Sequence, residues 1–184
     1  MSNLIRLTPA QWHLLIRAAL RGAPITDVYS WMSASDASAD EVTDLEDRRL
    51  IAGSYDGRPQ RLRFRHERIE PGCSVRLTGS VQRHVLTGLY PQYRVLRYLD
   101  SYRSVGVPLR HLRTADISLD TLYHLDEQGL MEVGRSGTQQ GRNPVRLATI
   151  NRADFTNSNH PTVRGLYAFI TVTGRPYAQG EDLY

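Results

Sequence analysis

Val42-Thr43-Asp44-Leu45-Glu46-Asp47-Arg48-Arg49-Leu50-Ile51 recurs in pattern later in the chain, as Leu122-Tyr123-His124-Leu125-Asp126-Glu127-Gln128-Gly129-Leu130-Met131. Each stretch places apolar residues at helical spacing, Val42 with Leu45 and Leu122 with Leu125, and then ends in an apolar pair. Gly129 is a stop signal in the second stretch. Just upstream, Ser38-Ala39-Asp40-Glu41 forms a capping box, and Ser118 caps Leu119. Both stretches therefore predict a helix that gives way to a strand.

Working outward, the repeat extends. Thr8 with Gln11, and Pro9 at the first helical position, opens an N-terminal helix carrying Leu14, Leu15, Ala18 and Ala19. Its counterpart starts near Leu89-Tyr90-Pro91 and carries Val95, Leu96 and Leu99. A Pro-led short segment follows each, Ala23–Val28 and Val107–Leu112. Downstream of each third helix come β signals. The first copy has Ile51–Tyr55, the turn Asp56-Gly57-Arg58-Pro59, then the alternating Leu62-Arg63-Phe64-Arg65. The second has Leu130–Val133, the loop Gly134–Pro144, then Val145-Arg146-Leu147. The copies close with Val75-Arg76-Leu77-Thr78-Gly79 and Ile170-Thr171-Val172-Thr173-Gly174.

Three helices and a β-hairpin wing, read twice, predict an α+β fold of two tandem winged-helix units, each a helix-turn-helix plus wing. The expected units are 1–86 and 89–184, the second with an exposed loop inserted over 151–165. The junction Leu86-Thr87-Gly88 is short, so the units are expected to pack together. Tyr90, Tyr93, Tyr98 and Tyr102 are expected to line an interface between units or between protomers, with a ligand pocket there as the alternative.

Composition narrows the function. The apolar fraction is 40% and the charged fraction 23%, ordinary for a globular protein. No apolar run approaches the roughly 18–20 residues that span a bilayer, and Met1–Arg6 lacks the pattern of a secretory leader. A cytoplasmic protein with no membrane association is expected. All 23 basic residues are Arg, against 19 acids, for a net charge of +4. A GC-rich genome explains the choice of Arg, yet each cation is then a planar fork suited to phosphates and guanine edges. The single Cys73 excludes an internal disulfide and any multi-thiolate metal site. Without Lys there is no P-loop, and the six His never form a zinc-hydrolase pair. Neither an enzyme nor a cofactor is expected.

At Asp120-Thr121-Leu122-Tyr123-His124-Leu125-Asp126-Glu127-Gln128-Gly129-Leu130 the chain resembles the PadR family of bacterial transcriptional regulators. Leu77-Thr78-Gly79 and Val172-Thr173-Gly174 resemble the closing strand of the MarR family. The resemblance implies winged-helix DNA binding of a bacterial, nucleoid-associated kind. The tandem duplication departs from those families, which carry one unit per chain and dimerise.

In such a unit the third helix enters the major groove and the wing grips the backbone. The first third helix suits this poorly, with Asp36, Asp40, Glu41, Asp44, Glu46 and Asp47 and no base between them. Those acids are either a solvated, dipole-complementing face or, over 38–50, a docking face for a basic protein partner. The following wing is basic, and Arg58, Arg61, Arg63 and Arg65 are candidate phosphate contacts, the last three expected on one strand face. In the second unit Arg110 and Arg113 fall on the second helix and Thr121, Tyr123 and His124 on the third. Its wing offers Arg135, Arg142 and Arg146. The leading expectation is a regulator or nucleoprotein component that binds double-stranded DNA, alone or as a homodimer. The rival is a protein–protein adaptor docking through the acidic helix.

Overall fold

The computed structural model describes residues 7–65, 68–114, 117–135, 144–156 and 160–179. The fold is α+β with small antiparallel sheets. It divides into two compact units, the first ending at Tyr90 and the second running Pro91–Gln179.

In the first unit α1 (Pro9–Arg21) opens on the Thr8–Gln11 capping box and ends at Gly22, which takes the left-handed conformation at φ 67°. Trp12, Leu14, Leu15, Ile16, Ala18 and Ala19 are buried along it. α2 (Val28–Ser33) is capped by Asp27, and α3 (Ala39–Asp47) by the Ser38–Glu41 box. Strands β1 (Ile51–Tyr55), β2 (Arg58–Pro59) and β5 (Cys73–Leu77) make a sheet in the order β2-β1-β5. Ile25, between α1 and α2, adds a bridge to Val75 on the far side of β5. Asp56 and Gly57, at φ 48° and 76°, form the two-residue primed turn that hairpins favour. β3 (Phe64–Arg65) and β4 (Arg68–Ile69) pair with each other within the wing.

The second unit follows the same order. α5 (Tyr90–Ser101) is followed by β6 (Val107–Pro108), α6 (Leu109–Thr114) and α7 (Leu119–Glu127). The sheet of β6, β7 (Met131–Gly134), β8 (Pro144–Val145) and β9 (Tyr167–Ile170) has the order β6-β9-β7-β8. With Ile25 in the place of β6, this is the arrangement of the first unit.

The pairings match residue by residue. Ile51↔Leu77 and Gly53↔Val75 in the first unit answer to Met131↔Ile170 and Val133↔Ala168 in the second. Ser54↔Pro59 answers to Gly134↔Pro144, and Ile25↔Val75 to Val107↔Ala168.

Each third helix ends in one capping motif. Leu50 N–H donates to Leu45 C=O and Arg49 N–H to Glu46 C=O; Leu130 donates to Leu125 and Gly129 to Asp126. This doubly bonded, left-handed cap satisfies carbonyls the helix cannot pair internally. The residue that turns is Arg49 at φ 59° in one copy and Gly129 at φ 68° in the other.

Three expectations need correcting. Leu86-Thr87-Gly88 is not a separate short junction: α4 (Val81–His84) leads into a π-helical turn, Val85–Leu89, and that into α5. Val85 and Leu89 are buried against α1, and Pro91, which has no N–H to give, follows the widened turn directly. The closing motifs align differently as well. Thr78 corresponds to Thr171 rather than Thr173, since each donates its backbone N–H to the residue after the helix cap, Leu50 or Leu130. Val172 is correspondingly 78% exposed. The segment 151–165 is not simply an exposed loop. It includes α8 (Arg152–Thr156) and buries Phe155 and Val163. As for the tyrosines, Tyr93 is buried, while Tyr98 and Tyr102 are exposed with ring centroids 5.2 Å apart.

The cap predicts opposite responses in the two copies. Gly129→Ala should destabilise by about 1 kcal/mol through backbone strain alone, because open space surrounds its Cβ position. Arg49→Gly should leave stability unchanged or raise it by up to about 1 kcal/mol. Denaturant unfolding of the variants measures both.

Candidate nucleic-acid interface

The acidic third helix of the first unit is engaged within its own unit. The Thr8 hydroxyl donates to Glu41, and Gln11 Nε2 donates to Asp44 Oδ2 at 2.7 Å. Arg48 pairs with Asp44 at 3.2 Å and Arg61 with Asp47. Glu46 accepts the backbone N–H of Leu62 on both oxygens at 3.2 Å and that of Gly53 at 3.3 Å. Asp40, in the first turn, complements the helix dipole. The outward residues of the helix, Asp40, Asp44 and Asp47, all carry negative charge, which disfavours approach to phosphate.

The predicted wing arginines divide into two kinds. Arg61, Arg63 and Arg65 are all exposed, but no strand runs through Arg61–Arg63, and Leu62 between them is buried. Arg61 is drawn onto α3, with Nε 3.8 Å from Glu46. Arg65 pairs with Glu70 at 3.4 Å while remaining largely exposed. Arg58 and Arg63 form no ion pair with the described residues. Tyr55 lies opposite Arg58 across the hairpin and accepts the Arg63 N–H on its hydroxyl oxygen at 2.9 Å. Burial raises the Tyr55 pKa above its ordinary value, so the phenol stays protonated and adds no negative charge to this end of the wing. Burial likewise pushes the Cys73 thiol up, which disfavours the reactive thiolate.

In the second unit Arg110 is exposed on α6, whereas the Arg113 side chain lies outside the described residues. Of the three α7 candidates only His124 stands in solvent, 3.7 Å from Glu127. Thr121 is 8% exposed, its hydroxyl sharing a hydrogen bond with the Ser118 cap. Tyr123 donates its hydroxyl to Ile150 C=O at 2.7 Å. Neither is presented for base contact: the helix period turns Thr121 inward, and Ile150, just past the 147–149 helical turn, supplies Tyr123 with its acceptor. Arg135 is exposed just past β7, and Arg146 is exposed just past β8. Arg142 lies outside the described residues.

Sequence reasoning missed a second repeat. The register Ser54↔Pro59 and Gly134↔Pro144 aligns Pro59-Gln60-Arg61-Leu62 with Pro144-Val145-Arg146-Leu147. Leu147 N–H donates to Asp126 Oδ2 at 3.1 Å, as Leu62 N–H does to Glu46. The shared Pro-x-Arg-Leu was the available signal, obscured by wing loops of unequal length. Burial raises the Asp126 carboxyl above its ordinary 3.8, against the Leu147 N–H and the Arg146 charge, which lower it.

Among the described residues no His, Cys, Asp and Glu cluster could hold a metal ion, and no helix is long and apolar enough to cross a membrane. Compared with known proteins, the chain matches no family model, no curated protein and no solved structure.

Two outcomes follow. Tyr123→Phe should cost about 1 kcal/mol, the usual worth of a buried hydrogen bond, in chemical denaturation. A carboxyl with a raised folded pKa stabilises fully below its unfolded pKa, and that contribution is lost as pH rises through the folded value. Asp126→Asn, which keeps an oxygen acceptor, should therefore remove a decline in stability that the native protein shows as pH rises above 3.8. Identical pH–stability curves would exclude this role.

Proposed function

We propose that both units are winged helices and that the protein is a DNA-binding regulator or nucleoprotein component that engages double-stranded DNA. The fold assignment is supported by the matched order, register and helix cap of the two units, with the strand or bridge between the first and second helices pairing on the far side of the closing strand. Contact with DNA is supported chiefly by one observation: at the wings Arg58, Arg63 and Arg135 are exposed without a carboxylate partner among the described residues. Arginines held off from acids in this way retain their charge and donors for phosphate.

On this proposal the second unit presents His124 on its third helix toward the major groove, with Arg110 at the backbone and Arg135 from the wing. The first unit makes its contribution through Arg58 and Arg63 instead of α3, whose outward face is acidic. An adaptor docking through 38–50 draws less support, because Glu41, Asp44, Glu46 and Asp47 already have partners in their own unit.

Titration of labelled duplex DNA at several salt concentrations tests the proposal. Four to five phosphate contacts predict a log–log slope of about −4. Arg58→Ala with Arg63→Ala should weaken binding and flatten that slope by about 2. Absence of binding at low salt would refute DNA as the partner.

A further inference from the structure

We propose that Glu46 and Asp126 are wing-positioning residues, each the anchor of a latch that fixes where the chain returns from the wing to the third helix. What the wings then do rests on the DNA reading above; the latch itself stands on geometry repeated in the two units. In each, a carboxylate in the last turn of the third helix accepts the backbone N–H of the Leu in Pro-x-Arg-Leu, at 3.2 Å for Leu62 and 3.1 Å for Leu147. That Leu is buried in both copies. The preceding Arg supports the same carboxylate: Arg61 stands beside Glu46, and the Arg146 charge favours the ionised form of Asp126.

The position of these acids is itself informative. A negative charge near a helix C-terminus opposes the dipole, and no basic residue in the last turn of α3 relieves it. A charge-assisted bond to an amide that no strand partner claims opposes the unfavourable placement, although at Asp126 burial outweighs it. A solvated acid would gain nothing from this site. Proline fixes φ just ahead of the Arg-Leu step, and both prolines occupy the same register opposite Ser54 and Gly134.

The latch also sorts the wing arginines. Arg61 belongs to the anchor through its ion pairs with Glu46 and Asp47, while Arg58, Arg63 and Arg135 remain to meet phosphate. The distance between the third helix and those arginines is then set by Glu46 and Asp126, and loosening either one should smear the wing over many positions without removing a phosphate contact.

Amide hydrogen exchange on the full chain tests this. Asp126→Ala should raise exchange at Leu147 by at least about tenfold, while Asp126→Asn, which keeps the acceptor oxygen, should restore protection close to that of the native protein. Glu46→Ala and Glu46→Gln give the same comparison at Leu62, should either Asp126 variant fail to fold. Equal Leu147 or Leu62 protection in the Ala variant and the native protein would overturn the latch. In duplex titrations Arg61→Ala should leave the salt slope unchanged, and a slope reduced by about 1 would show it to be a phosphate contact and overturn the sorting. If the native protein binds no DNA, the functional proposal fails while exchange still decides the latch.

Discussion

The last turn of the third helix has to do two things at once: end with its carbonyls satisfied, and send the chain straight into a strand beneath it. A single left-handed residue makes this possible in each unit, Arg49 or Gly129. Around it the bonds repeat. The following Leu reaches back five residues into the helix, and a threonine of the closing strand, Thr78 or Thr171, donates its hydroxyl to the turning residue's carbonyl. The sheet register follows from this point, because Ile51 and Met131 begin their strands one residue beyond the anchored Leu. Helix, sheet and wing thus share one junction. A duplicated sequence can diverge widely elsewhere and keep the same architecture if that junction survives.

Charge near the junction takes its meaning from the same geometry. Glu46, Asp47 and Asp126 lie where the helix dipole disfavours them, and each finds a compensating N–H or guanidinium. The acidic run of the first unit is therefore largely internal wiring. The sequence set a basic wing after a run of acids, yet Arg48 and Arg61 fold back onto those acids. At the wings Arg58, Arg63 and Arg135 stay exposed without a carboxylate partner among the described residues.

Much of the fold was legible because its signals are local. Capping boxes at Thr8–Gln11 and Ser38–Glu41, the Ser118 cap, and the Asp56-Gly57 turn each depend on residues within four positions of one another. The internal repeat was visible for the same reason. The π turn at Val85–Leu89 was hidden, since burial against α1 overrode the loop signal of Thr87-Gly88. The offset between Thr78 and Thr171 was hidden too, because Leu-Thr-Gly and Val-Thr-Gly look alike until hydrogen bonds choose between two threonines. At the candidate interface the sequence showed residue types but not their availability. Thr121, Tyr123 and Arg61 carry suitable groups, and each is committed to a partner distant in sequence or turned into the core.

The most direct test is a map of backbone amide chemical shifts as duplex DNA is added to the isotope-labelled chain. If the proposed division of labour holds, shifts concentrate at Arg58, Arg63, Arg110, His124 and Arg135, and Asp40–Asp47 stays silent. Shifts centred on α3, or none at low salt, would contradict it.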